Sequence, residues 1–78
     1  MLDAKIVGKV IRTYRERKKI SQEVLSGLAG LNYSHYGNIE RGSRRPTLDT
    51  FFRISLALNI PASEIMKTIE QEIEGSHE

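Results

Sequence analysis

Seventy-eight residues with no cysteine allow one small domain and exclude both disulfides and thiolate metal sites. The net charge is only +2, but residues 1–53 hold eleven Lys/Arg and five Asp/Glu, whereas residues 54–78 hold one Lys and five Glu. A basic body with an acidic end suits a polyanion on one face, and no apolar run is long enough to span a membrane.

The opening Met1-Leu2-Asp3-Ala4-Lys5 lacks the apolar stretch of a signal peptide, so the expected location is the cytoplasm. Residues 3 to about 18 read as the first helix. Ile6, Val10 and Tyr14 recur at every fourth position, with Val7 and Ile11 beside them, which makes one apolar face. Lys5, Lys9, Arg12, Arg17, Lys18 and Lys19 stud the remainder, and the Lys18-Lys19 pair suits the negative end of the helix dipole. Gly8 interrupts the pattern and suits close packing against a second helix.

Ser21 is placed to cap a second helix of residues 22 to about 29, which Gly30 ends in the left-handed conformation. Asn32 caps a third helix, 33–41, that stops at Gly42. Two short helices joined by a tight glycine turn form a helix-turn-helix, whose second helix can lie in a DNA major groove. Val24 and Leu28 lie four apart on the outer edge of the second helix, as two scattered exposed apolar residues or as a small patch for a partner; so small a patch favours the first reading. On the third helix Leu31, Tyr36 and Ile39 are expected to point inward, and the Tyr36 hydroxyl then needs a partner. Tyr33, Ser34, Gly37 and Asn38 form the outward, uncharged face. Gly37 weakens the helix by up to about 1 kcal/mol against Ala and suits close approach of the backbone to a groove. His35 faces solvent or a phosphate, and it lies too far from His77 in the chain to build a metal site.

Gly42-Ser43-Arg44-Arg45-Pro46 reads as a loop. Thr47 caps a fourth helix, 48–58, with Leu48, Phe51, Ile54 and Leu58 as its inner stripe and Phe52 and Leu56 on a second flank. Asn59-Ile60-Pro61 breaks the chain before a fifth helix, 62–74, carrying Ile65, Met66, Ile69 and Ile73. Ile65 completes the core. Met66, Ile69 and Ile73, with Phe52 and Leu56, make a homodimer seam, because a two-fold contact uses one patch twice; the alternative is that the fifth helix folds back over its own domain. The domain therefore spans 1–74, and residues 75–78 form a frayed acidic tail.

Four motifs follow one another at fixed spacing: Ile20-Ser21-Gln22-Glu23-x-Leu25, Ala29-Gly30-Leu31, Ile39-Glu40-Arg41-Gly42-x-Arg44-x-Pro46, and Leu48-Asp49-Thr50-Phe51. Together they resemble the lambda-repressor-like (Xre-type) family of bacterial and phage regulators over residues 6–66. The resemblance implies an all-α, compact five-helix domain whose second and third helices form the helix-turn-helix. It implies that Arg15 pairs with Glu40, tying the first helix to the third. It places Tyr33, Ser34, Gly37 and Asn38 at base edges, where Asn38 suits adenine and Tyr33 a thymine methyl or a phosphate. It puts Gln22, Arg41, Ser43, Arg44 and Arg45 on the sugar-phosphate backbone, where contacts set register rather than sequence choice.

The function implied is that of a sequence-specific DNA-binding transcriptional regulator that binds a two-fold symmetric operator as a homodimer through the major groove. A protein-interaction module of antitoxin or regulator type keeps the same fold with another protein as its main ligand. An enzyme is not expected: no Ser/His/Asp set, phosphate loop or metal cluster is visible, and no cofactor is called for.

Overall fold

In the computed structural model, which describes residues 2–75, the first four helices each start where a side chain can satisfy free N–H groups. Asp3 opens α1 (Ala4–Arg17), accepting from the backbone N–H of Lys5 at 2.8 Å. Ser21 opens α2 (Gln22–Leu28) by accepting from Val24 N–H at 3.0 Å. Asn32 opens α3 (Tyr33–Arg41) through His35 N–H at 3.1 Å. Thr47 opens α4 (Leu48–Leu58) through Thr50 N–H at 3.1 Å. The last helix is α5 (Ala62–Gly75). The acidic tail's residues 76–78, His77 among them, lie outside the described residues.

Three of these helices end alike. Gly30 and Gly42 take left-handed backbone (φ 68° and 79°), as does Asn59 (φ 57°). That bend lets Leu31, Ser43 and Ile60 N–H reach back to the carbonyls of Ser26, Asn38 and Ser55 at 2.8, 3.0 and 3.1 Å.

The five helices of the described residues make an all-α domain in which α1 packs on α3 and α5, α2 on α3 and α4, and α4 on α5. Val7, Val10, Ile11, Tyr14, Leu25, Tyr36, Ile39, Phe51, Ile54, Leu58 and Ile65 are buried together. Val7 and Ile11 are more deeply covered than Ile6, so the buried face of α1 is rotated from the Ile6–Val10–Tyr14 line. Gly8 explains how close α1 comes to α3: a Cβ there would stand 2.3 Å from the Ile39 carbonyl oxygen and 2.5 Å from that of Glu40. At the far end of α1 the Tyr14 hydroxyl and Thr68 Oγ1 of α5 share a 2.7 Å hydrogen bond.

Two expectations are corrected here. Ile69 is fully buried within the monomer, so it belongs to the core and not to a seam between subunits. The reason is that α5 folds back along α1, where Ile69 joins the core and the Tyr14–Thr68 bond links the two helices. Leu48 is the second: it is 81% exposed rather than part of the inner stripe, because it lies one turn from exposed Phe52, on the flank of α4 that the other helices leave uncovered. No helix among the described residues is long and apolar enough to cross a membrane.

Candidate nucleic-acid interface

The outward face of α3 is only as well defined as the anchoring of its inner side. That anchoring is a polar clamp around Glu40, whose side chain is 2% exposed. Arg15 Nε donates to Glu40 Oε2 at 2.6 Å, and Arg15 Nη2 donates to Oε1 at 3.1 Å. Gln22 Nε2 donates to Oε1 at 2.9 Å, and the Tyr36 hydroxyl donates to Oε2. Arg15 Nη1 also donates to the Ile20 carbonyl at 2.8 Å. One carboxylate thus joins α1, the start of α2 and the middle and end of α3. Burial pushes the Glu40 carboxyl up, but the hydrogen bonds from Arg15, Tyr36 and Gln22 outweigh it and hold the group below the usual carboxylate range. The Tyr36 phenol is pushed well up, first by burial and then by its bond to Glu40. Arg15 is raised, chiefly by its hydrogen bond to Glu40.

Tyr33 and Ser34 stand on the open side of α3, Tyr33 with 55% of its surface exposed. Asn38 is half-buried, and its Oδ1 accepts from Arg41 Nη2 at 2.7 Å. Gly37 departs from expectation: it is buried, not open to a groove. The cover is the Arg41 guanidinium, which lies back along the helix so that a Cβ on Gly37 would sit 2.9 Å from Nη1. The face described above as uncharged therefore carries an arginine head. Positions 37 and 41 are four apart, and a long helical side chain leans toward the N-terminus, so the spacing permits this placement, but the bond to Asn38 is what fixes it. His35 is half-buried at the first turn of α3.

Beyond Gly42, Ser43, Arg44 and Arg45 are exposed in the loop to α4. Ser43 Oγ donates to the Asn38 carbonyl at 3.1 Å, and Arg44 N–H reaches the same oxygen at 3.3 Å. These bonds hold the loop against the end of α3. Arg45 Nη1 reaches the Leu2 carbonyl at 3.3 Å, drawing the N-terminal segment onto the loop. Gln22 is turned toward Glu40, so its amide braces α3 from the side of α2. Of the residues expected at a subunit seam, Phe52 (53%) and Leu56 (64%) are exposed, while Met66 and Ile73 are half-buried.

A helix-turn-helix family model matches residues 11–65. The chain is 33% identical over 61 residues to the control protein C.SmaI of Serratia marcescens, an alignment covering 78% of this chain and 73% of that protein. It is similar in structure to the restriction-modification controller protein C.AhdI from Aeromonas hydrophila, at 35% identity and a TM-score of 0.79, over 83% of this chain and 98% of the other. It is similar too to the controller protein C.Esp1396I, solved as a tetramer in complex with its natural 35 base-pair operator, at 26% identity and a TM-score of 0.84, over 94% and 96% of the two chains.

Proposed function

The chain belongs to the helix-turn-helix family of DNA-binding transcription regulators, and from that premise we propose that it binds a two-fold symmetric operator as a homodimer, with α3 in the major groove. The observation that carries this reading is the division of α3. Tyr36 and Glu40 are locked inward, while Tyr33 and Ser34 face solvent beside an exposed Ser43-Arg44-Arg45 loop. A rigid helix with an open polar face next to a basic loop is what groove entry and phosphate contact require. Tyr33 and Ser34 are the open base-edge residues in this reading, and Asn38 stands on the same face with its Oδ1 held by Arg41. Ser43, Arg44, Arg45 and the outer amide hydrogen of Gln22 meet the phosphates.

The homodimer half of the reading rests on α4. Leu48, Phe52 and Leu56 recur every fourth residue and are all exposed, which gives one helix a continuous apolar stripe beside Met66 of α5. A two-fold axis through this stripe would cover it with a second copy of itself. That C.Esp1396I is a tetramer on its operator supports assembly by copies of one chain. Selection from random duplexes tests both halves. An inverted repeat is the result expected; enrichment of no sequence would overturn the reading.

Val24 and Leu28, 49% and 65% exposed on α2, favour a second reading as a module whose main ligand is another protein. A stoichiometric protein partner that survives purification, together with duplex affinity blind to sequence, would select it.

A further inference from the structure

Arg41 is the single Lys or Arg of α3, and its head group does not follow the basic loop beyond Gly42. The guanidinium lies instead across the bare backbone of Gly37, one turn back toward Tyr33 and Ser34. It is held there by Nη2 donating to Asn38 Oδ1 at 2.7 Å. Asn38 is itself held from behind: Ser43 Oγ donates to its carbonyl at 3.1 Å and lies 3.5 Å from its Oδ1. Gly37 makes the arrangement sterically available, because any side chain at that position would occupy the space of Nη1.

Resting on the DNA-binding reading above, we propose that Arg41 reads a guanine in the major groove, with Gly37 as its seat and Asn38 as its positioning residue. The chemistry follows from the donors. A guanidinium carries five N–H groups in a planar fork, and the bond to Asn38 uses one of them. Those remaining match the O6 and N7 acceptors that guanine alone presents side by side in the groove. The acceptor atom of Asn38 is already engaged by Arg41. Paired recognition of adenine, which needs that oxygen free, is thereby disfavoured, and the two residues act as one unit selecting a G·C pair. The preset orientation matters because an arginine fork held in place loses less side-chain freedom on contact than a free one. A phosphate contact would need no such seat: it would be served by a charge in the loop, where Arg44 and Arg45 already stand exposed.

The full chain is first used to select its preferred duplex, and affinity is then measured for all four base pairs at each position with wild type, Arg41→Lys and Gly37→Ala. Lysine keeps the charge but not the fork. Arg41→Lys should erase the preference for guanine at one position of each half-site, a loss of about 5–150-fold in discrimination, while leaving preferences elsewhere intact. Gly37→Ala should weaken the same preference, because its Cβ would force Nη1 off its seat. It should leave the thermal melt unchanged or slightly raised, since Ala is the better helix former and the displaced atom is the end of a flexible side chain. If both variants keep the wild-type base preferences and lose affinity only uniformly, Arg41 is a phosphate contact and the assignment is overturned. A wild-type chain that enriches no sequence would instead overturn the DNA-binding reading itself and this assignment with it, a result separable from the first.

Discussion

Glu40 has the most demanding environment among the polar side chains of this domain. It is buried, charged and met by donors from Arg15, Gln22 and Tyr36. Removing its charge strands the Arg15 guanidinium, so Glu40→Gln should lower unfolding free energy by about 3–5 kcal/mol in urea titrations. Tyr36→Phe keeps the ring in place and removes one bond to a charged acceptor, for a loss of about 1.5–3 kcal/mol. The clamp also sets an acid limit. The folded Glu40 carboxyl sits below its ordinary value of 4.5, so at low pH the unfolded chain takes up this proton before the folded one does. Its stabilisation is complete above that ordinary value and is lost as pH falls from there through the lower folded value. Thermal melts over this window should show a steeper acid decline in wild type than in Glu40→Gln; equal slopes would mean that Glu40 is not the group responsible. Arg44 carries the opposite kind of expectation, because it is exposed and its hydrogen bond to the end of α3 runs from its backbone N–H. Arg44→Ala should leave the melt alone, reduce affinity on any duplex and reduce the salt slope by about one.

The helices are decided by a few local devices and one close crossing. Asp3, Ser21, Asn32 and Thr47 each accept a backbone N–H within their own first turn, so each start is set by residues no more than three apart. The crossing of α1 and α3 depends on Gly8. Gly8→Ala would improve helix propensity by up to about 1 kcal/mol, yet the new Cβ meets backbone oxygens of Ile39 and Glu40, which cannot rotate away. The net result should be destabilisation of about 1–3 kcal/mol, read from chemical denaturation. A gain in stability would mean that α1 can slide on α3 without disturbing Glu40. Helix α4 illustrates how spacing alone misleads. Leu48 is three residues from Phe51 and four from Phe52, and both spacings lie on a helical face. The neighbouring helices cover Phe51 and leave Phe52 exposed, which puts Leu48 on the outer stripe.

In the proposed homodimer, assembly and stability fall to different apolar residues of α4 and α5. Phe52 lies on the exposed stripe and Ile69 within the core. Phe52→Glu should therefore give a folded monomer in sedimentation, with weaker binding to a symmetric operator because only one half-site is held per protein. Ile69→Glu should unfold the domain, since a carboxylate at a fully buried site has no partner to offset its desolvation. Dimers persisting in Phe52→Glu would move the seam away from α4.

Helix boundaries and the helix-turn-helix were legible in the amino-acid sequence, because caps, turn glycines and short motifs act over a few neighbouring residues; the Arg15–Glu40 tie, between residues far apart in the chain, was legible only through the family resemblance. The exposure of Tyr33 and Ser34 was legible for the same reason: a clear inner face on α3 leaves a clear outer one. Three matters were settled only in the folded structure. These are the burial of Ile69 beneath the α1–α5 contact, the exposure of Leu48, and the return of the Arg41 head over Gly37. Burial depends on which element covers a residue, and the position of a long flexible side chain depends on its hydrogen-bond partners, so neither is contained in the periodicity of a single segment.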